Sequence, residues 1–274
     1  MDVISAFFTY GFLQNALLAA VLASVSCGIS GTFVNINRIT FVAGGIAHAV
    51  LGGVGAAVYF GFSPFAGAIV SSIFFAVVLG LVKLKISQHE DTVIGALWAG
   101  GMSTGIIFMY LTPGYSVNIT SYLFGNILLV SQSDLIILFV LALITLLMAV
   151  IFYRQFVFVS FDEEFARLRN VKSTLIYILM LSMIALTVVI LMKVVGLVLV
   201  IAFLSLPAAT AALFTKKIHL IIVFSGLLNL IFSFMGLSFS YLYNLPTGAT
   251  ITLVSGVVFM VFMLWRHFYA RIFK

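Results

Sequence analysis

One histidine, His48, stands near the middle of an apolar, glycine-dense run, RITFVAGGIAHAVLGGVGAAVYFGFSP (residues 38–64). An imidazole in such a run marks a functional-site candidate, because apolar surroundings disfavour a polar ring that has no task. Its chemistry offers three uses. A neutral imidazole can ligate zinc or other divalent metals, relay protons, or hydrogen-bond one helix to another. One imidazole is not a tight metal site, since structural zinc takes four ligands. A passage that must release its cargo tolerates weak coordination.

A second cluster is FDEEFARLRNVK (residues 161–172), with Asp162, Glu163 and Glu164 at its start. Acidic residues there suit a helix N-terminus, and Asp162 suits the N-cap. Phe165 and Leu168, three residues apart, share one side. The segment reads either as a helix lying on a membrane surface or as one that inserts into a partner's groove. A third cluster, His89, Glu90 and Asp91, superficially resembles a metal site. Consecutive helical residues diverge by about 100° each and do not converge on one ion, so the acids are assigned to the helix dipole. His219 and His267 lie beside Lys216, Lys217 and Arg266 and are expected at an interface.

The elements that must hold these residues follow from composition. Of 274 residues, 64% are hydrophobic and 7% charged, against roughly 25% charged in soluble domains; the mean hydropathy is +1.31. The chain is therefore read as an all-α polytopic membrane protein, a single domain over 1–274, with no room for a separate soluble domain. Nine apolar runs, at 11–34, 39–61, 64–84, 92–112, 134–153, 175–193, 196–214, 219–237 and 248–265, are candidate crossings. The count falls to eight if the stretch 175–214 contains a broken helix. Residues 116–134 are too short and polar to cross and read as a short packed helix or a re-entrant turn.

Charge orients the spans. Arg38, Lys83 with Lys85, Arg154 through Lys172, Lys216 with Lys217, and Arg266 through Lys274 fall in alternate gaps, while the other gaps are almost free of Lys and Arg. The positive-inside rule then places the N-terminus outside and the C-terminus in the cytoplasm. Lys193 is the one violator. The basic balance therefore reports topology and not nucleic acid. Residues 1–4 lack a basic signal-peptide region, so the chain is expected to be inserted and retained. Cys27, the only cysteine, excludes an intramolecular disulfide.

Small residues recur at four-residue spacing: Gly45, Ala49 and Gly53 beside Gly44, His48 and Gly52, then Gly95, Ala99 and Ser103 beside Gly101 and Gly105. Such rows mark helix faces whose backbones touch. No P-loop, H-E-x-x-H or G-x-S-x-G motif is present, so the chain carries neither a nucleotide-binding loop nor these hydrolase signatures.

Six segments, in order, resemble the permeases of ABC-3-type zinc and manganese uptake systems: GTFVNINRITFVAGGIAHAVLGG (31–53), EDTVIGALWAGGMSTG (90–105), SYLFGNIL (121–128), residues 161–172, VVGLVLVIAFLSLPAATAALF (194–214) and SFSYLYNLPTGATI (238–251). The resemblance implies a type II-like importer permease fold in a prokaryotic cytoplasmic membrane. It also implies a second copy of the chain, a cytoplasmic ATPase dimer and an extracytoplasmic metal-binding protein. No covalently bound cofactor is implied; the metal, zinc or manganese, is cargo. His48 is then the metal residue, in a pathway with Gly44, Gly52, Ala99 and Ser103. Residues Asp162, Glu163, Glu164, Phe165, Ala166 and Leu168 become the ATPase-coupling helix, with Asn170 where many members have glycine. Three departures stand out. Gly44 occupies a common aspartate position, Ala99 replaces a histidine of some zinc importers, and Asn126 replaces an aspartate. They leave open an ABC permease for another metal, a chelate or a different small solute. A secondary transporter working without ATP is disfavoured, since no paired charges lie within the spans.

Overall fold

The hydrocarbon core of a bilayer offers the backbone no water, so crossing segments close their own hydrogen bonds as helices. The computed structural model describes residues 9–85, 90–113 and 123–272. Among these are ten α-helices, one 3-10 turn and no strand: α1 (Gly11–Asn37), α2 (Thr40–Tyr59), α3 (Pro64–Lys85), α4 (Glu90–Leu111), α5 (Gln132–Phe161), α6 (Glu163–Leu168), α7 (Ser173–Val194), α8 (Val200–Phe214), α9 (Ile218–Tyr243) and α10 (Thr247–Ile272). Eight are long and apolar enough to cross a membrane. The ninth expected span is α8, whose 15 residues reach only about 22 Å against a hydrocarbon core of about 30 Å. The ambiguity between eight and nine crossings thus lies in one short helix.

Local sequence sets the breaks. Arg38 ends α1 and Asn244 ends α9 in left-handed backbone, at φ 57° and 52°. Pro64 opens α3, at a position where its missing N–H costs nothing. Ser131 caps α5 in a reciprocal box with Asp134, which satisfies two otherwise orphaned donors.

Three groups of helices build the molecule. α2 packs between α3 and α4; α1 packs against α5, α7, α8 and α9; α8 lies against α1, α9 and α10 and also touches α2. α1, α2 and α7 are buried along most of their length, whereas α4, α5 and α10 turn mostly outward.

Part of the 116–134 stretch, residues 114–122, lies outside the described residues. The remainder is a 3-10 turn, Ile127–Leu129, capped by the Asn126 side chain. It is pinned where Gly125 and Gly196 meet, both at positive φ (62° and 84°). A Cβ at either glycine would come within 2.3 Å of the other's backbone nitrogen, so the junction requires glycine for both space and conformation. Val198 N–H donates to the Leu123 carbonyl at 3.1 Å across the same join.

Lys193 also finds its reason here. At the end of α7 its Nζ lies 3.0 Å from Asp134 Oδ1 at the start of α5, so the charge that violates the positive-inside pattern is neutralised.

Candidate functional site

His48 sits midway along α2 and is only 7% exposed. Its ring lies flat on the Trp98 indole of α4, with centroids 4.2 Å apart and planes 7° from parallel. Its Nδ1 is buried and has no hydrogen-bond partner among the described residues. Leaving such a polar atom unpaired costs about 1–3 kcal/mol, and an imidazole serving only to tie helices together would have a partner. A free ring nitrogen is what a ligand needs.

The backbone around it explains how an indole reaches the imidazole. A Cβ at Gly101 would lie 2.5 Å from Ala49 Cα, and one at Gly105 would lie 2.3 Å from the Leu51 carbonyl oxygen. α2 and α4 therefore touch backbone to backbone, as the small-residue rows predict. Gly52 belongs to this contact, its notional Cβ 2.9 Å from the Gly101 carbonyl oxygen by the same measure. Gly53 faces α3, where Ser71 and Gly67 crowd it.

Gly44, one turn before His48, is covered by α8. A Cβ there would meet Ile201 Cδ1 at 2.5 Å and Trp98 Cζ3 at 3.9 Å. The place expected to carry a carboxylate is filled by an isoleucine methyl from another helix. No group of three His, Cys, Asp or Glu side chains that could hold a metal occurs among the described residues.

Ala99 and Ser103 do not join His48 within one chain. Both are exposed, and at 100° per residue they lie on the side of α4 opposite Gly101 and Gly105. Among the described residues, nothing lies within 4 Å of a notional Cβ at their row partner Gly95 or at Gly100, so no described element covers this face of α4. Sequence reasoning passed over Trp98 and Ile201; a tryptophan inside a glycine-rich span was the available signal for the first, and nothing local marked the second.

At the opposite end of the spans α6 forms as the acidic start suggests. Asp162 Oδ1 accepts from Phe165 N–H at 2.9 Å, Ala166 is fully buried, and Phe165 and Leu168 are 39% and 83% exposed. Glu163 accepts from Arg167 at 2.6 Å and from Ser173 at 3.0 Å. The Arg167 bond, helped by the Ser173 bond, holds its carboxyl below the usual range although partial burial works the other way. Asn170 sits at φ 56°, a left-handed conformation that glycine and asparagine adopt most readily. Of the third cluster, His89 lies outside the described residues and Glu90 simply begins α4. His219 and His267 are exposed.

Residues 9–266 match the model of the ABC 3 transport family. The chain belongs to that family. An uncharacterized membrane protein of Synechocystis is 40% identical over 258 residues, covering 94% of this chain and 92% of its own. The manganese transport system membrane protein MntC of Halalkalibacterium halodurans is 33% identical, covering 92% and 86%. Among solved structures, PsaBC from Streptococcus pneumoniae in complex with Fab superposes with a TM-score of 0.86 at 30% identity, over 95% of this chain and 94% of that one. The ABC-3 permease fold is therefore shared across nearly the whole chain.

Proposed function

We propose that this ABC-3 chain is the membrane-spanning permease of an importer for a divalent metal ion, manganese or zinc, and that His48 contacts the ion in transit. The observation that carries the reading is the orphaned Nδ1 of His48, buried beneath Trp98 in a family member whose relatives include a manganese transport protein. With Trp98 over the ring and Ile201 over Gly44, the imidazole is occluded, so cargo reaches it only when α4 or α8 moves. The energy for that movement comes from a partner ATPase, because this chain has no nucleotide motif. α6 is the lever, its Phe165 and Leu168 presented to the ATPase while Glu163 and Ala166 anchor it to the spans. A binding protein delivers the ion at the outer face, and the basic loops and C-terminus lie in the cytoplasm.

Two chains complete the passage. α4 and α5 are both largely uncovered, yet α5 is the most apolar of the spanning helices and α4 among the least. α5 suits lipid. The open α4 face, with Ala99, Gly100 and Ser103, suits a second copy.

The deciding experiment is uptake of radioactive manganese and zinc by cells expressing the full transporter. His48→Ala should lower uptake at least tenfold with expression and thermal stability retained. Wild-type uptake by that variant would remove His48 from the pathway.

A further inference from the structure

A cavity of about 340 Å³ lies where α1, α3 and α5 end and where α6 and α7 begin. That volume falls at the lower end of small-molecule sites, about 300–1,000 Å³. Arg38 and Lys83 both line it, together with Ser160, Glu163 and Tyr177. Among the described residues neither cation is in an ion pair; the pairs there are Arg167–Glu163 and Lys193–Asp134. Glu163 is the one acid among the described lining residues. Its carboxylate is already engaged, by Arg167 at 2.6 Å and Ser173 at 3.0 Å.

The neighbouring groups suit an anion. Lys83 Nζ stands 4.8 Å from the centre of the buried Tyr177 ring, which holds the end of a flexible side chain beside the cavity. Ser160 Oγ accepts from Asn37 Nδ2 at 2.9 Å. Among the described residues its own proton has only the Met180 sulfur, 3.9 Å away, to donate to. A thioether is a weak acceptor, so this hydroxyl is free to turn to an oxyanion. Arg38 stands in left-handed backbone at φ 57°, where asparagine would end the helix with less strain. The positive-inside rule asks for a charge in this gap, but not for two on the walls of one cavity. A guanidinium fork, an ammonium and a hydroxyl match a phosphate group, whose several oxygens accept from all three. Ile36 and Val159 add apolar wall. On the orientation proposed above, the cavity lies at the headgroup level of the cytoplasmic leaflet. Basic pockets between spanning helices take anionic lipid headgroups there.

We propose that this cavity binds a phosphate-bearing anion through Arg38, Lys83 and Ser160, tying the α1–α2 turn and the end of α3 to the wall that anchors α6. A lipid headgroup and free phosphate share that chemistry. The full-length permease, stripped of lipid in neutral detergent, is melted at constant ionic strength with each of three probes: short-chain phosphatidylglycerol, short-chain phosphatidylcholine and inorganic phosphate. Phosphatidylglycerol should raise the melting temperature by about 3 °C or more beyond phosphatidylcholine, as filling a specific site does. The same gain with inorganic phosphate alone would make soluble phosphate the ligand. Whichever probe acts, the gain should vanish in Arg38→Asn/Lys83→Gln and shrink by more than half in Lys83→Gln alone. Arg38→Asn suits the left-handed turn, so the double variant should melt within about 2 °C of the parent when no probe is present. Lys83→Arg, which keeps the charge, should retain the gain. So should Lys216→Gln/Lys217→Gln, which removes two exposed cations outside the cavity. Four results would each overturn the proposal: no gain with either phosphatidylglycerol or phosphate, a gain that survives in Arg38→Asn/Lys83→Gln, its loss in Lys83→Arg, or an equal loss in Lys216→Gln/Lys217→Gln. If the parent ignores both probes and Arg38→Asn/Lys83→Gln fails to retain the ATPase, the cations face an acidic protein surface and the proposal falls.

Discussion

At the scale of single residues, the site is distinguished by what stands at Gly44. Manganese is a hard ion that favours oxygen ligands, whereas imidazole suits zinc, copper, iron and nickel. A carboxylate one turn before His48 would share its face of α2. Here that space holds the Ile201 methyl, the mobile end of a flexible side chain. Gly44→Asp is therefore accommodated by rotation of Ile201, and more comfortably with Ile201→Ala. The Gly44→Asp/Ile201→Ala transporter should show a manganese KM lowered at least threefold relative to zinc, measured by competitive uptake. An unchanged ratio would mean that position 44 does not face the cargo. The other departure, Asn126, carries less weight: its side chain accepts from Leu128 N–H at 3.1 Å to cap the 3-10 turn, a task that aspartate performs equally well.

At the scale of elements, α6 shows how a six-residue helix, too short to be stable alone, is held in place. Asp162 caps it, Glu163 ties it to Arg167 and Ser173, and Asn170 closes its end. That leaves Leu168, 83% exposed, with no role in the anchorage. Leu168→Glu should leave the permease's melting temperature within about 2 °C of the parent, as surface substitutions usually do, yet reduce ATPase copurification at least fivefold. Retention of the ATPase at parental levels would place the contact elsewhere. Asp162, the acidic first turn and the Phe165–Leu168 side were legible in the sequence because capping and i, i+3 spacing are local. The spans were legible for the same reason. The run that became α8 was legible, as was the doubt over whether it makes a ninth crossing. Its shortness was not, because that depends on where the Gly125–Gly196 junction forces the chain to turn, a contact between segments about 70 residues apart. Trp98 over His48 and Ile201 over Gly44 were hidden likewise, since they follow from how α2, α4 and α8 cross. The pairing of Lys193 with Asp134 turned an apparent topological exception into an explained one.

At the scale of the whole molecule, one chain leaves its least lipid-like surface uncovered. Lipid tails are as apolar as leucine, so helices associate in a bilayer through close packing and not through hydrophobic expulsion. Gly101 and Gly105 spend one face of α4 on α2. The opposite face repeats the same small-residue pattern with Gly95, Ala99 and Ser103, and among the described residues nothing approaches the notional Cβ of Gly95 or Gly100. A second α4 related by a two-fold axis would meet this face with its own, since a symmetric dimer uses the same patch on both copies. Ala99 and Ser103 would then line or border the central passage from both sides, which reconciles their distance from His48 in one chain with a role beside the cargo. Cysteine placed at Ser103, in a Cys27→Ser background that removes the only native thiol, should form an intersubunit crosslink under mild oxidation. Cysteine at Val140, on the apolar and 47% exposed face of α5, should not. Gly100→Leu should shift the detergent-purified permease from dimer to monomer, because a bulky side chain keeps the two backbones apart. Crosslinking at Val140 in place of Ser103, or a Gly100→Leu protein that remains dimeric, would move the interface off α4 and leave Ala99 and Ser103 facing lipid.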